Sequence, residues 1–103
     1  NGAVRGLLKV GPKHLYYWRK DGAQVEVDAL CVLDFYVVEV EQRSGVGRRL
    51  FDAALAREQV EARSLAYDKP SAKMLPFLKK HYALDAHAPQ PNNFVIFDAF
   101  FDA

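Results

Sequence analysis

The stretch from Leu30 to Leu50, LCVLDFYVVEVEQRSGVGRRL, restricts this chain more than any other. Its first half is apolar and β-branched, with Leu30, Cys31, Val32, Leu33, Phe35, Tyr36, Val37 and Val38. That is the pattern of a strand buried on both faces. The sequence then turns polar and reaches two glycines one residue apart, Gly45 and Gly47. A helical pattern follows over Arg48 to Gln59, with Leu50, Phe51, Ala54 and Leu55 on one stripe. A strand, a glycine loop and a helix N-terminus in such close succession aim free backbone N–H groups and a positive dipole end at an anion, phosphate above all.

Spacing narrows the kind of loop. A dinucleotide-binding turn needs a third glycine three positions after the second, where Leu50 stands. A nucleotide-triphosphate loop needs four residues between its glycines and then Gly-Lys-Ser/Thr, and neither is present. The pattern Gln/Arg-x-x-Gly-x-Gly/Ala does fit, over Gln42, Arg43, Ser44, Gly45, Val46 and Gly47. This segment resembles the pyrophosphate loop with which GCN5-related N-acetyltransferases hold acetyl-coenzyme A. Two glycines beside an arginine also make an ordinary turn, so the flanking strand and helix give the match its weight.

With 103 residues, half of them hydrophobic, the chain can build one core and not two. Lys plus Arg total 14 against 13 for Asp plus Glu, which leaves no field to draw in nucleic acid or a membrane. One cysteine excludes an internal disulfide, and three scattered histidines make a zinc site unexpected. No apolar run approaches the ~20 residues of a spanning helix. A soluble, reducing compartment is the expectation. The first residue is not Met, and the chain opens in what reads as a strand, so a fragment is expected.

In chain order, Ala3 to Val10 and Leu15 to Trp18 read as strands joined by a reversal at Gly11-Pro12-Lys13-His14. His14 reads as a solvated turn residue. Arg19 to Val27 is polar, turns at Asp21-Gly22 and leads into the central strand. Beyond the first helix, Val60 to Arg63 is a connection and Ser64 to Tyr67 a short strand stopped by Asp68-Lys69-Pro70-Ser71. A second helix is expected over Ser71 to His81, with Met74, Leu75, Leu78 and Tyr82 inward. Pro76 falls inside it and predicts a bent or shortened helix. Ala83 to Asn93 reads as a loop and Phe94 to Phe101 as a final strand. The count of elements gives a mixed α/β domain, a single one over residues 1–103.

Taken together, LCVLDFYVVEVEQRSGVGRRLF, LAYDKPSAKMLPFLKKHY and PQPNNFVIFDAFF resemble the catalytic domain of the α-tubulin N-acetyltransferases. NNFVIF and the Asp68-Lys-Pro-Ser segment are more specific to that family than the glycine loop. The likeness covers the whole chain and corresponds to the C-terminal half of the family's domain. It implies a GCN5-related N-acetyltransferase-like, mostly antiparallel sheet flanked by helices. It also implies transfer of acetyl from acetyl-CoA, without a metal, to a lysine of α-tubulin in the microtubule lumen. The location implied is cytoplasmic and cytoskeletal, on microtubules and in a cilium or flagellum, and the protein is expected to be a monomer.

Carried over residue by residue, the family's catalytic candidates fall on Asp68 and Cys31. Its cofactor segments fall on Phe35, Tyr36, Val37, Val38, Gln42, Arg43, Ser44, Gly45, Val46, Gly47 and Arg48, and on Ser71, Lys73, Phe77 and Lys80. Lys69, Lys73, Lys79 and Lys80 read as a basic patch free of acids, suited to a phosphate or simply to solvent. Asp68 is equally suited to cap the second helix, and Cys31 to fill a core as a small hydrophobe. Val38 and Ser44 stand where vertebrate members have histidines. Lys69 replaces an arginine, and Pro76 a lysine. Two alternatives share the same residues: an acetyltransferase for another protein lysine or a small amine, and a non-catalytic microtubule-binding module.

Overall fold

The computed structural model describes residues 6–38 and 44–102. Four strands form one sheet in the order β1-β2-β3-β4. They span Gly6–Trp18 (β1), Gln24–Val37 (β2), Leu65–Asp68 (β3) and Phe94–Val95 (β4). Two helices, Val46–Glu58 (α1) and Met74–Tyr82 (α2), complete the mixed α/β arrangement.

β1 and β2 run antiparallel along their whole lengths. Their turn is the Asp21-Gly22 one read from the sequence: the Gly22 N–H donates to Arg19 O at 3.0 Å, and Asp21 Oδ1 accepts the Ala23 N–H at 2.9 Å. The expected reversal at Gly11-Pro12 does not occur. Pro12 lies within β1, opposite Leu30. Among the described residues no strand pairs with the other side of β1, and a residue without an N–H is tolerated at such a position.

β2 carries the irregularity that shapes the site. Lys9 faces Asp34 and Val10 faces Val32, so Leu33 is an extra residue on β2. A one-residue insertion switches the face of every side chain after it. Val32 and Phe35 therefore both belong to the layer packed on the helices, despite their odd spacing. The expected burial on both faces holds at Cys31 and Val32 and fails at Asp34 and Tyr36, which are exposed.

Residues from both faces of the sheet are buried. On the helix side, Val32, Phe51, Leu65, Tyr67, Met74, Leu78 and Phe97 make the larger core. The Tyr67 hydroxyl is satisfied there, donating to Ala62 O at 2.7 Å. Leu15, Tyr17, Val27, Cys31, Ala66 and Ile96 cluster separately on the opposite face. An aromatic group ties β2 to both helices: Phe51 lies 5.7 Å from Phe35, 5.8 Å from Phe77 and 5.1 Å from Tyr82 between ring centroids.

Pro76 shortens α2 rather than bending it. The helix begins at Met74, three residues after the expected start, so Pro76 falls in the first turn, where its missing N–H has no helical partner to lose. The final strand is also shorter than expected. Only Phe94–Val95 pairs with β3, and Asp98–Phe101 turns into a 3-10 helix. The connection after α1 ends in another 3-10 turn, Ala62–Ser64.

Phe51 is completely buried at the junction of β2, α1 and α2. Phe51→Ala should therefore destabilise the domain by about 3–5 kcal/mol, the usual cost of an aromatic cavity. Urea unfolding of the two proteins measures the difference.

Candidate functional site

The site opens where two strands part. β3 runs parallel to β2 and pairs with it only at Leu30, Cys31 and Val32. β2 continues to Val37, while β3 ends at Asp68 and pairs on its other side with β4. Among the described residues no strand covers Leu33 to Tyr36 on the β3 side. Backbone amides and carbonyls along such an edge can pair with an extended ligand as a further strand would.

The N-terminus of α1 comes next in the chain, after residues 38–45. Gly45 precedes the helix with φ 85°, a left-handed conformation that glycine adopts without strain. Gly45 gives the helix no side-chain cap, and the first turn holds no acidic residue. Among the described residues no side-chain cap occupies this terminus, and its first amides and positive dipole end suit an anion. Gly47 serves differently. It is buried, and an added Cβ would lie 3.4 Å from Val37 Cγ2, 3.5 Å from Phe35 and 3.7 Å from Phe77. Those are ordinary contacts, so alanine fits where a larger side chain does not.

The residues anticipated as cofactor contacts divide by environment. Tyr36 is exposed, Phe35 and Val38 are half-buried, and Val37 is buried near Gly47. Ser44 and Arg48 are exposed, and Val46 is half-buried. Phe77 packs against Phe35, 5.4 Å between centroids, so its ring is a wall of the core beneath the loop. Gln42 and Arg43 lie outside the described residues. Ser71, Lys73 and Lys80 are exposed, at the start and on the surface of α2. The basic patch is not free of acids, because Lys79 Nζ pairs with Asp85 Oδ2 at 3.6 Å, both well exposed.

Asp68 and Cys31 are neighbours. Cys31 faces Ala66 across the parallel pair, which sets Asp68 two residues further along the same face. The thiol is fully buried and donates to Val32 O at 3.6 Å. Burial first, then the Asp68 charge, pushes it up to about 11, with Lys13 and the Asp68 backbone N–H pulling the other way. Such a thiol stays protonated at neutral pH. The three histidines are engaged elsewhere: His14 with Asp28 and Glu26, His81 with Arg48, and His87 edge-on to Phe97.

The helix-capping alternative for Asp68 fails. Ser71 takes that task, its Oγ accepting the Met74 N–H at 3.2 Å, while Asp68 lies in β3 well before the helix. Lys69, immediately after Asp68, has φ 46°, and its N–H donates to Asn93 O at 3.1 Å. A left-handed lysine beside a candidate base is local strain held by the β3–β4 connection. Nothing in the sequence marks it. The Leu33 bulge is not marked by any local signal except that it ends the unbroken apolar run Ala29 to Leu33, where the alternation changes phase.

The chain also resembles known proteins. The profile of the family described as "GNAT acetyltransferase, Mec-17" matches residues 1–103. The alpha-tubulin N-acetyltransferase of Phytophthora infestans is 53% identical over 103 residues, which cover 100% of this chain and 58% of that protein. That of Anopheles gambiae is 52% identical over 101 residues, 98% of this chain and 21% of the relative. The alpha-tubulin N-acetyltransferase 1 of Danio rerio is 51% identical over 102 residues, 99% of this chain and 34% of the relative. The chain therefore spans little more than half of the first of these and smaller shares of the others.

The two glycines should separate on substitution. Gly45→Ala forces a side chain into a left-handed conformation and should cost about 1–2 kcal/mol. Gly47→Ala, inside the helix and with room for the added Cβ, should leave stability unchanged or raise it by up to about 1 kcal/mol. Thermal unfolding of the pair checks this. Cys31 should resist iodoacetamide at pH 8 in the folded protein and react once it is unfolded in urea.

Proposed function

This chain belongs to the GNAT acetyltransferase family of Mec-17, and from that premise we propose that it is part of an acetyl-CoA-dependent lysine acetyltransferase acting on α-tubulin in the microtubule lumen. Residues 1–103 would be a single, partial catalytic domain, working as a monomer on cytoplasmic or ciliary microtubules. The observation that carries the reading is the open N-terminus of α1 beside the edge of β2 that β3 leaves uncovered.

Acetyl-CoA fits this arrangement as a substrate. Its diphosphate suits the backbone N–H groups from Gln42 to Arg48, and its pantetheine amides suit the backbone near Phe35 to Val37. The thioester would then lie toward Asp68 and Cys31, where β2 and β3 part. An incoming lysine is cationic at neutral pH and must lose a proton before it can attack. In this reading the Asp68 carboxylate attracts the ammonium and takes that proton, directly or through one water. The lysine nitrogen then forms a bond to the acetyl carbon and sheds its second proton to solvent as the carbon–sulfur bond breaks, and the departing thiolate takes up a proton from solvent, which leaves a neutral amide and a free thiol. Cys31 keeps its proton and lines the site. A thiol held at about 11 is a poor nucleophile, which favours direct transfer over an acetyl-cysteine intermediate.

Asp68→Asn tests the assignment in the full-length protein. Turnover of polymerised tubulin should fall about 100-fold or more, as when a general base is lost, while acetyl-CoA binding stays within about twofold. Turnover close to the parent's would remove Asp68 from the mechanism. Mass spectrometry of the tubulin product locates the modified lysine and separates this substrate from a free amine.

A further inference from the structure

Arg48 is the third residue of α1, at the mouth assigned above to the diphosphate, yet its side chain turns along the helix toward α2. Its Nε donates to Asp52 Oδ2 at 3.0 Å, one turn on. Its Nη1 donates to His81 Nδ1, also at 3.0 Å. The guanidinium lies over the Tyr82 ring, 5.2 Å from the centroid. The Tyr82 hydroxyl closes the circuit by donating to Asp52 Oδ1 at 2.5 Å. Two donors of a rigid planar fork and its stacking face are thereby fixed by both helices.

We propose that Arg48, Asp52, His81 and Tyr82 form a clamp that fixes the mouth of α1 against α2, and that a neutral His81 is required to close it. This rests on the reading of that mouth as the acetyl-CoA diphosphate site. Asp52, His81 and Tyr82 are then positioning residues, acting through the first turn of α1. Arg48 contributes to affinity chiefly through its side-chain geometry and less through its charge.

The sensitivity to pH follows from hydrogen-bond roles. An arginine can only donate, so His81 must accept at Nδ1, which a protonated imidazolium cannot do. His81 faces Arg48 and Asp52 from α1, and Lys80 on its own helix. Burial, Arg48 and Lys80 all favour the neutral ring, and only Asp52 opposes them. The folded protein therefore binds this proton less readily than a free histidine. As pH falls below about 6.5, protonation opens the clamp. His14 titrates on the other side of that value, because Asp28 and Glu26 hold its proton.

The test uses the full-length protein, with KM and kcat for acetyl-CoA and direct binding by calorimetry. At pH 7.5, Asp52→Asn and Tyr82→Phe should each raise KM about fivefold while kcat stays within about twofold. Arg48→Lys, which keeps the charge and loses the fork, should do the same. Arg48→Lys combined with Asp52→Asn should be no worse than either alone, the sign of a shared interaction. Between pH 7.5 and 5.5 the KM of the parent should rise. In His81→Gln the rise should shrink to that of the ligand's own phosphate monoester, which titrates near ~6. Additive effects, an Arg48→Lys protein with unchanged KM, parallel losses of kcat and melting temperature, or an undiminished acid-side rise in His81→Gln would each overturn the clamp. A parent protein that binds no acetyl-CoA at pH 7.5 would overturn the diphosphate reading itself, and the clamp with it.

Discussion

The brevity of one strand pairing governs the rest of the structure. β3, four residues long, holds β2 at only three positions, and the extra residue at Leu33 lies just beyond them. A fully paired sheet would bury its backbone groups in its own ladder and leave nothing to offer a ligand. Among the described residues the sheet is closed where Cys31, Ala66 and Tyr67 need a core, and no strand covers β2 from Leu33 to Tyr36 on the β3 side. The same insertion turns Phe35 toward the helices, where it supports Phe51 and Phe77 under the glycine loop.

Polarity follows from that geometry. The closed end of the parting holds a fully buried thiol and a half-buried carboxylate. The other end leads to a helix terminus with no acid in its first turn and Gly45 at its cap. A ligand with a diphosphate at one end and a reactive carbonyl at the other matches this gradient from positive dipole to carboxylate. The short α2 closes the arrangement from the side, its start displaced by Pro76 and its end fastened to Arg48 and Asp52.

Much of this was readable from the residues, for identifiable reasons. The central strand, the first helix and the Asp21-Gly22 turn are local patterns with strong period or turn chemistry, and they formed near where expected, although the strand begins at Gln24 instead of Leu30 and the helix at Val46 instead of Arg48, which puts Gly47 inside it. Pro12 misled because proline marks a turn in most contexts, whereas an edge strand also accommodates it. The run Phe94 to Phe101 reads as a strand from hydrophobicity alone, yet only its first two residues find a partner in the short β3. The capping role suited to Asp68 passed to Ser71 because the helix begins later than Pro70 suggests. The bulge at Leu33, the left-handed Lys69 and the four-residue clamp depend on pairing between distant segments, which no local window contains. The proposed substrate class comes from the family resemblance and not from this geometry.

The central claim is that the uncovered edge of β2 and the open end of α1 form one continuous binding surface. Amide hydrogen exchange of the full-length protein, with and without acetyl-CoA, addresses it most directly. Exchange should slow together at residues 33–36 and 45–48 when acetyl-CoA is added, with little change in the distal half of the β1–β2 hairpin. Protection confined to other segments, or absent from both of these, would contradict the account.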